Sequence, residues 1–297
     1  MISEKIEFKL DYTKAKLPFG TPENFNPKKE DFIPTLETYV HDDLSLTEFK
    51  IRKRPAVVVV PGGGYHFVSK REGDPVAAEF FAAGFQSFVF TYSVAPTVFP
   101  ASLMELATAV KYVRSHAEEW NIDPDKIIIC GFSAGGHLCG SLSTMWNEPF
   151  LAESIDAKPE EFKPNGAILS YPVISSGLCA HRGSFNNLLA GLPEELKDYT
   201  SLENRVTEAT PRTFLWSTWT DQLVPIKNSL LYAEALADAG VNCEVHIFPE
   251  GRHGLSLATE YTAKDPRDIV DEGLPNPQIV PRVEPWIQYA REWVRKF

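Results

Sequence analysis

Cysteine is scarce in this chain: four in 297 residues, at Cys130, Cys139, Cys179 and Cys243, with no C-x-x-C pair among them. That spacing indicates neither a cysteine-built zinc site nor a disulfide framework. Positive charge is also in short supply, 29 Lys and Arg against 40 Asp and Glu, for a net charge of -11. A surface of that sign repels phosphates, so no nucleic-acid partner is expected, while neutral substrates such as esters or sugars are unaffected. No run approaches the roughly 20 apolar residues that cross a bilayer, so no membrane partner is expected either. The opening "MISEKIEFKL" lacks the uninterrupted apolar stretch and small-residue cleavage site of a secretory signal. Taking Met1 as the natural start, a soluble cytoplasmic chain is the expectation. What is present, 43% hydrophobic and 23% charged residues, suffices for a large core, and residues 1–297 read as one α/β domain.

Residues 1–35 carry Pro18, Pro22, Pro27 and Pro34 among many charges and read as an extended arm. Beyond it, "LETYV" (Leu36–Val40) and "LTEFKIR" (Leu46–Arg52) alternate as edge strands would, whereas "AVVVV" (Ala56–Val60) is apolar throughout, as a strand covered on both faces must be. "DPVAAEFFAAG" offers Pro75 as a first helical residue and Gly84 as a stop, ahead of the strand "FQSFVFTY". In "SLMELATAVKYVRSHAEEW" the residues Leu103, Leu106, Ala107, Val110 and Val113 recur at three- and four-residue steps and give one apolar helical face. "KIIIC", "GAILSY", "TFLWST" and "CEVHIF" are further strands; helices are expected from about Gly135 to Met145, over "IKNSLLYAEALADAG", and over the closing "EPWIQYAREWVRKF". Such alternation implies a mostly parallel central sheet with helices on both faces. Residues 172–211 are too many for a simple connection and read as an inserted cap or lid, helical around Asn187–Leu189 and Glu194–Tyr199.

Between "KIIIC" and the next helix lies Gly131-Phe132-Ser133-Ala134-Gly135, a G-x-S-x-G match in the strand-turn-helix context that makes it a nucleophile elbow. The requirement is steric: a serine at the apex of a sharp turn needs neighbours without side chains, so that strand and helix can approach. The helix start beneath it favours developing negative charge. A serine hydroxyl needs a base, itself oriented by an acid. After "TFLWST" comes Asp221, and after "CEVHIF" comes His253, each in a loop past a strand end, in the chain order such a fold uses. The alternative for Asp221 is a turn or cap residue before a helix, and Glu250 is a second acid, close in sequence to the base. The other histidines fit less well: His116 falls in a helix, His246 in a strand, His137 just after the elbow, and His41, His66 and His181 lie outside the two loops. "PGGGY" (Pro61–Tyr65) follows the buried strand, and its Gly63 and Gly64 amides, with that of Ala134, are candidate donors to an oxyanion. Tyr65 and Trp219 are candidate pocket walls, with core packing the competing reading. His181 and Arg182 read as a solvated loop in preference to substrate contacts, and Arg71 and Glu72 as ion pairs near the glycine loop.

Together these residues resemble the α/β-hydrolase superfamily, and the glycine triplet with "GFSAGG" is similar to its esterase branch related to hormone-sensitive lipase. The histidine usual before the three glycines is Pro61 here. "PGGGYHFVSKREGDPVAAEFFAAGF", "SLMELATAVKYVRSHAEEWNIDPDKIIICGFSAGGHL" and "PEGRHGLSL" are closer to bacterial acetyl esterases of the acetyl-xylan esterase type, over about residues 50 to 260. The resemblance implies a serine ester hydrolase that removes acetyl groups from small esters, commonly xylan-derived oligosaccharides, through an acetyl-enzyme and with no cofactor or metal. Two other readings stand beside it. A prolyl-oligopeptidase-type peptidase shares the residues, but the segment ahead of the first core strand is too short for a propeller. A non-catalytic descendant would have lost part of the constellation.

Overall fold

The computed structural model describes residues 2–42, 52–265 and 276–297. Its organisation starts from the run Ala56–Val60: Ala56, Val58 and Val60 face one side of the sheet, Val57 and Val59 the other, and all five are fully buried. A strand covered on both faces has no polar side to show, which is why its sequence does not alternate. Among the described residues eight strands form one sheet: β1 (Lys5–Glu7), β2 (Thr35–Tyr39), β3 (Arg54–Val60), β4 (Gln86–Thr91), β5 (Ile122–Phe132), β6 (Gly166–Ser170), β7 (Thr213–Thr218) and β8 (Cys243–Phe248). Their spatial order is β1-β2-β4-β3-β5-β6-β7-β8. The pairings β1/β2 and β2/β4 are antiparallel and all others parallel.

The helices are α1 (Asp74–Ala82), α2 (Ala101–Ser115), α3 (Ala134–Met145), α4 (Pro149–Ile155), α5 (Pro159–Phe162), α6 (Arg182–Leu188), α7 (Glu195–Tyr199), α8 (Lys227–Asp238) and α9 (Trp286–Arg295). Two cores divide the sheet's faces. One joins Ala56, Val58 and Val60 to Leu106 and Val110 of α2, Leu138 and Leu142 of α3 and Leu236 of α8. The other joins Val57, Val59, Ile128 and Ile168 to Val76 and Phe80 of α1 and to Trp286, Ala290 and Trp293 of α9. This is the α/β-hydrolase arrangement, a mostly parallel sheet with helices on both sides.

Two expectations need correction. Within the segment read as an extended arm, Lys5–Glu7 pairs with Thr35–Glu37, so β1 is the edge strand and "LETYV" lies inside the sheet. The near-alternation of the first ten residues was the signal. In the stretch 172–211 the first helix begins earlier than expected, at Arg182 in place of Asn187. The reading of "LTEFKIR" as a strand falls almost wholly outside the described residues. Among those described, no helix is long and apolar enough to cross a membrane.

Candidate active site

The parallel strands β3, β5, β6 and β7 all point their carboxyl ends the same way, so the loops that follow them gather at one rim. The sharpest of these turns is at Ser133, which has φ 53 and ψ -116 between β5 and α3. L-residues rarely take such a conformation, and it is tolerated only where the surroundings over-determine it. They do so through backbone contact. A side chain at Gly131 would begin 2.3 Å from the Gly135 carbonyl oxygen, and one at Gly135 would begin 2.2 Å from that of Val60. Ser133 N–H donates to the Ser170 carbonyl at 3.0 Å, and the Ser133 carbonyl accepts from Val173 at 3.1 Å, tying the elbow to the end of β6.

Asp221 and His253 reach this elbow from loops after β7 and β8. His253 Nε2 lies 2.8 Å from Ser133 Oγ, and His253 Nδ1 lies 2.7 Å from Asp221 Oδ2. The other carboxylate oxygen, Oδ1, accepts the N–H groups of Leu223 and Val224, both at 2.9 Å. Asp221 is therefore a turn residue as well as the partner of the imidazole, and the two readings of it hold together. A buried carboxylate with both oxygens engaged cannot rotate away from the ring. Since a carboxylate only accepts, it fixes the proton on Nδ1 and leaves Nε2 with a lone pair toward the serine. Glu250 is exposed and takes no part in these contacts.

The glycine loop closes the other side. Gly63 has φ 132 and would bring a side chain to 1.8 Å from the Phe67 carbonyl oxygen, so glycine is required there. Among the described residues, the N–H groups of Gly63, Gly64 and Ala134 donate to no protein acceptor. The Gly62 N–H, by contrast, is taken by Glu72 Oε2 at 2.9 Å. Ser133, His253, Gly63 and Gly64 border a cleft of about 570 Å³, a size that suits a small ligand. Its apolar wall includes the exposed side chains of Phe67 and Leu223, and its polar lining includes His66, His181 and Asn187.

Several sequence candidates sit elsewhere. Tyr65 is buried and does not line the cleft; its hydroxyl meets His137 Nδ1 at 2.8 Å, so it packs beneath the loop as the competing reading had it. Trp219 is 60% exposed and likewise absent from the cleft lining; its N–H donates to the Phe248 carbonyl. His181 and Arg182 part company: His181 enters the cleft, while Arg182 is exposed at the start of α6. Burial beside the cationic form of His253 pushes the His181 pKa down, against the pull of Asp221. Arg71 and Glu72 were expected as ion pairs; among the described residues Arg71 instead donates to the Gly254 and Thr262 carbonyls, and Glu72 accepts from Gly62 and from the Tyr171 hydroxyl. Sequence reading also missed Asn187, whose Nδ2 donates to the Gly64 carbonyl at 2.9 Å. The remaining histidines are structural: His41 stacks on Phe81, His116 on Trp120 and His246 on Tyr289. Among the described residues no group of three or more His, Cys, Asp or Glu is placed to hold a metal ion.

His137 joins α3 to the segment 172–211. Its Nε2 meets the Thr200 carbonyl at 2.8 Å, which forces that nitrogen to be the donor and leaves Nδ1 to accept the Tyr65 hydroxyl. Burial pushes its pKa from 6.5 down to about 4, only partly offset by the Thr200 carbonyl. Above pH 6.5 the ring is neutral folded or unfolded. As pH falls from 6.5 toward 4 only the unfolded chain gains this proton, so stability is lost across that window, on the order of 1 kcal/mol per pH unit. Denaturant titrations through this range are expected to show a shallower pH dependence for His137→Gln than for the unaltered protein; equal slopes would contradict the assignment.

The BD-FAE family model matches residues 43–236, which take in the glycine loop, Ser133 and Asp221. The chain is 38% identical over 238 residues to endo-1,4-beta-xylanase B of Butyrivibrio fibrisolvens, covering 77% of this chain and 36% of that protein. It is 33% identical over 217 residues to the acetylxylan esterase of Xylanibacter ruminicola, covering 71% of this chain and 43% of that one. It thus spans less than half the length of either relative. The crystal structure of an acetyl ester-xyloside bifunctional hydrolase from Caldicellulosiruptor lactoaceticus superposes with a TM-score of 0.72 at 34% identity, over 95% of this chain and 96% of that one. The chain belongs to the BD-FAE family and is an α/β-hydrolase of the esterase type.

Proposed function

We propose that this protein is a serine esterase that removes acetyl groups from small esters, acetylated xylo-oligosaccharides being its natural substrate class. The observation that carries the reading is the unbroken line Asp221–His253–Ser133, at 2.7 and 2.8 Å, opening onto a cleft lined by Gly63 and Gly64, whose N–H groups, like that of Ala134 next to Ser133, meet no protein acceptor among the described residues. Ser133 Oγ attacks the acetyl carbonyl while His253 Nε2 takes its proton. The Gly63, Gly64 and Ala134 amides receive the oxyanion, a contribution of about 3 kcal/mol per donor in comparable sites. His253 then passes the proton to the leaving alcohol oxygen, and water, deprotonated by the same imidazole, releases acetate and restores the serine. Asp221 stays ionised throughout and stabilises the imidazolium.

The sugar assignment is supported by what the relatives are: a xylanase, an acetylxylan esterase and an acetyl ester-xyloside hydrolase. It also suits a cleft with an apolar wall at Phe67 and Leu223 facing hydrogen-bonding groups, because a pyranose ring has both kinds of surface. Acetylated xylo-oligosaccharides incubated with the protein are expected to lose acetyl groups, followed by mass, and to lose none with Ser133→Ala. Cleavage of aryl acetates with no loss from the oligosaccharides would remove the sugar assignment and leave the esterase.

A further inference from the structure

We infer that Arg71 and Glu72, in the short 3-10 turn Lys70–Glu72, form a positioning brace that sets the glycine loop and the His253 loop in register for the reaction. The inference rests on the esterase reading above and concerns residues outside the serine, histidine and aspartate line.

Glu72 is 3% exposed yet carries a carboxylate, and its two oxygens go to different places. Oε2 accepts the Gly62 N–H at 2.9 Å, at the root of the glycine loop; Oε1 accepts the Tyr171 hydroxyl at 2.7 Å. Tyr171 stands at the end of β6 and meets the His253 ring edge-on, with centroids 5.0 Å apart. Its hydroxyl in turn accepts the Ser256 N–H at 2.9 Å, three residues past His253. Arg71 holds the same loop from the other side: its carbonyl accepts the Ser256 hydroxyl at 2.6 Å, and its guanidinium donates to the carbonyls of Gly254 and Thr262. Two adjacent residues thus fasten both loops that must face one carbonyl carbon.

The contact is close as well as connected. A side chain at Gly62 would begin 2.9 Å from Glu72 Oε2 and 3.0 Å from Ser133 Cβ, so the carboxylate sits directly behind the elbow. Backbone strain gathers along the brace: Tyr171, Ser256 and Ala258 have φ of 37, 55 and 59, values costly for L-residues. A buried carboxylate is expensive to keep, and two tight hydrogen bonds to neutral donors repay only part of that cost. Retaining it at this place is explained by what it aligns, since a misplacement of about 1 Å can cost about 10²-fold in rate.

The test uses Glu72→Gln, Glu72→Ala and Tyr171→Phe, with aryl acetate kinetics normalised to serine sites titrated by a phosphonate, and thermal midpoints measured alongside. Glu72→Ala is expected to lower kcat about 10²-fold with KM within a few-fold of the unaltered protein. Glu72→Gln is expected to recover part of that loss, because its amide oxygen still accepts from Gly62. Adding Tyr171→Phe to Glu72→Gln is expected to cost less than the product of the single effects. If Glu72→Ala does not fold, the other two variants and their combination carry the comparison. Unchanged kcat per titrated site, with only thermal midpoints lowered, would overturn the brace. An unaltered protein with no activity on aryl acetates would instead overturn the esterase reading.

Discussion

Replacing Ser133 by alanine is expected to lower turnover of a simple aryl acetate by about 10⁴- to 10⁶-fold while leaving the fold in place. The size follows from the site. Ser133 Oγ is the hydroxyl held 2.8 Å from His253 Nε2 at the mouth of the cleft, and its removal leaves the imidazole and amides with no atom to transfer the acetyl group to. Stability should change little, because the strained φ of 53 is common to serine and alanine and is imposed by backbone contacts at Gly131 and Gly135. The check is kcat on an aryl acetate beside a thermal midpoint. Residual turnover above a tenth of normal in a folded variant would place the nucleophile elsewhere.

Asp221→Asn is expected to cost about 10⁴-fold in kcat with KM nearly unchanged. Asp221 Oδ1 accepts from the backbone N–H groups of Leu223 and Val224, so in the variant the amide oxygen keeps that place and the amide NH₂ turns to His253 Nδ1. A donor there requires Nδ1 to be the acceptor, which moves the ring proton to Nε2 and points it at Ser133. The serine then faces a donor where it needs a base. The backbone contacts survive, so the thermal midpoint should fall far less than a buried carboxylate's loss would suggest. Measuring kcat and KM across pH tests this: a loss below tenfold, or one carried by KM, would contradict the assigned tautomer.

Much of this was legible because the sequence periodicities are local. Ala56–Val60 is apolar without alternation because both faces are covered, and G-x-S-x-G lies between a buried strand and a helix because the turn admits no side chains at Gly131 and Gly135. Asp221 and His253 followed from strand ends alone. What was illegible depends on partners far along the chain. Glu72 reads as half of an ion pair until Tyr171, 99 residues away, is seen to bond it. Tyr65 looks like a pocket wall because it follows three glycines, but its φ of 55 turns the ring inward to His137. His181 sits in a polar stretch whose pattern gives no direction, and only the docking of α6 on Gly64 through Asn187 brings it into the cleft. β1 was missed although the first ten residues nearly alternate, because the paired stretch is only three residues long.

The most direct measurement is to react the protein with a fluorophosphonate and locate the adduct by peptide mass mapping while following esterase activity. One adduct per chain, on Ser133, with activity lost in step, is the expected result. Full loss of activity with the adduct on another residue, or full activity with Ser133 completely modified, would contradict the assignment of this hydroxyl as the nucleophile.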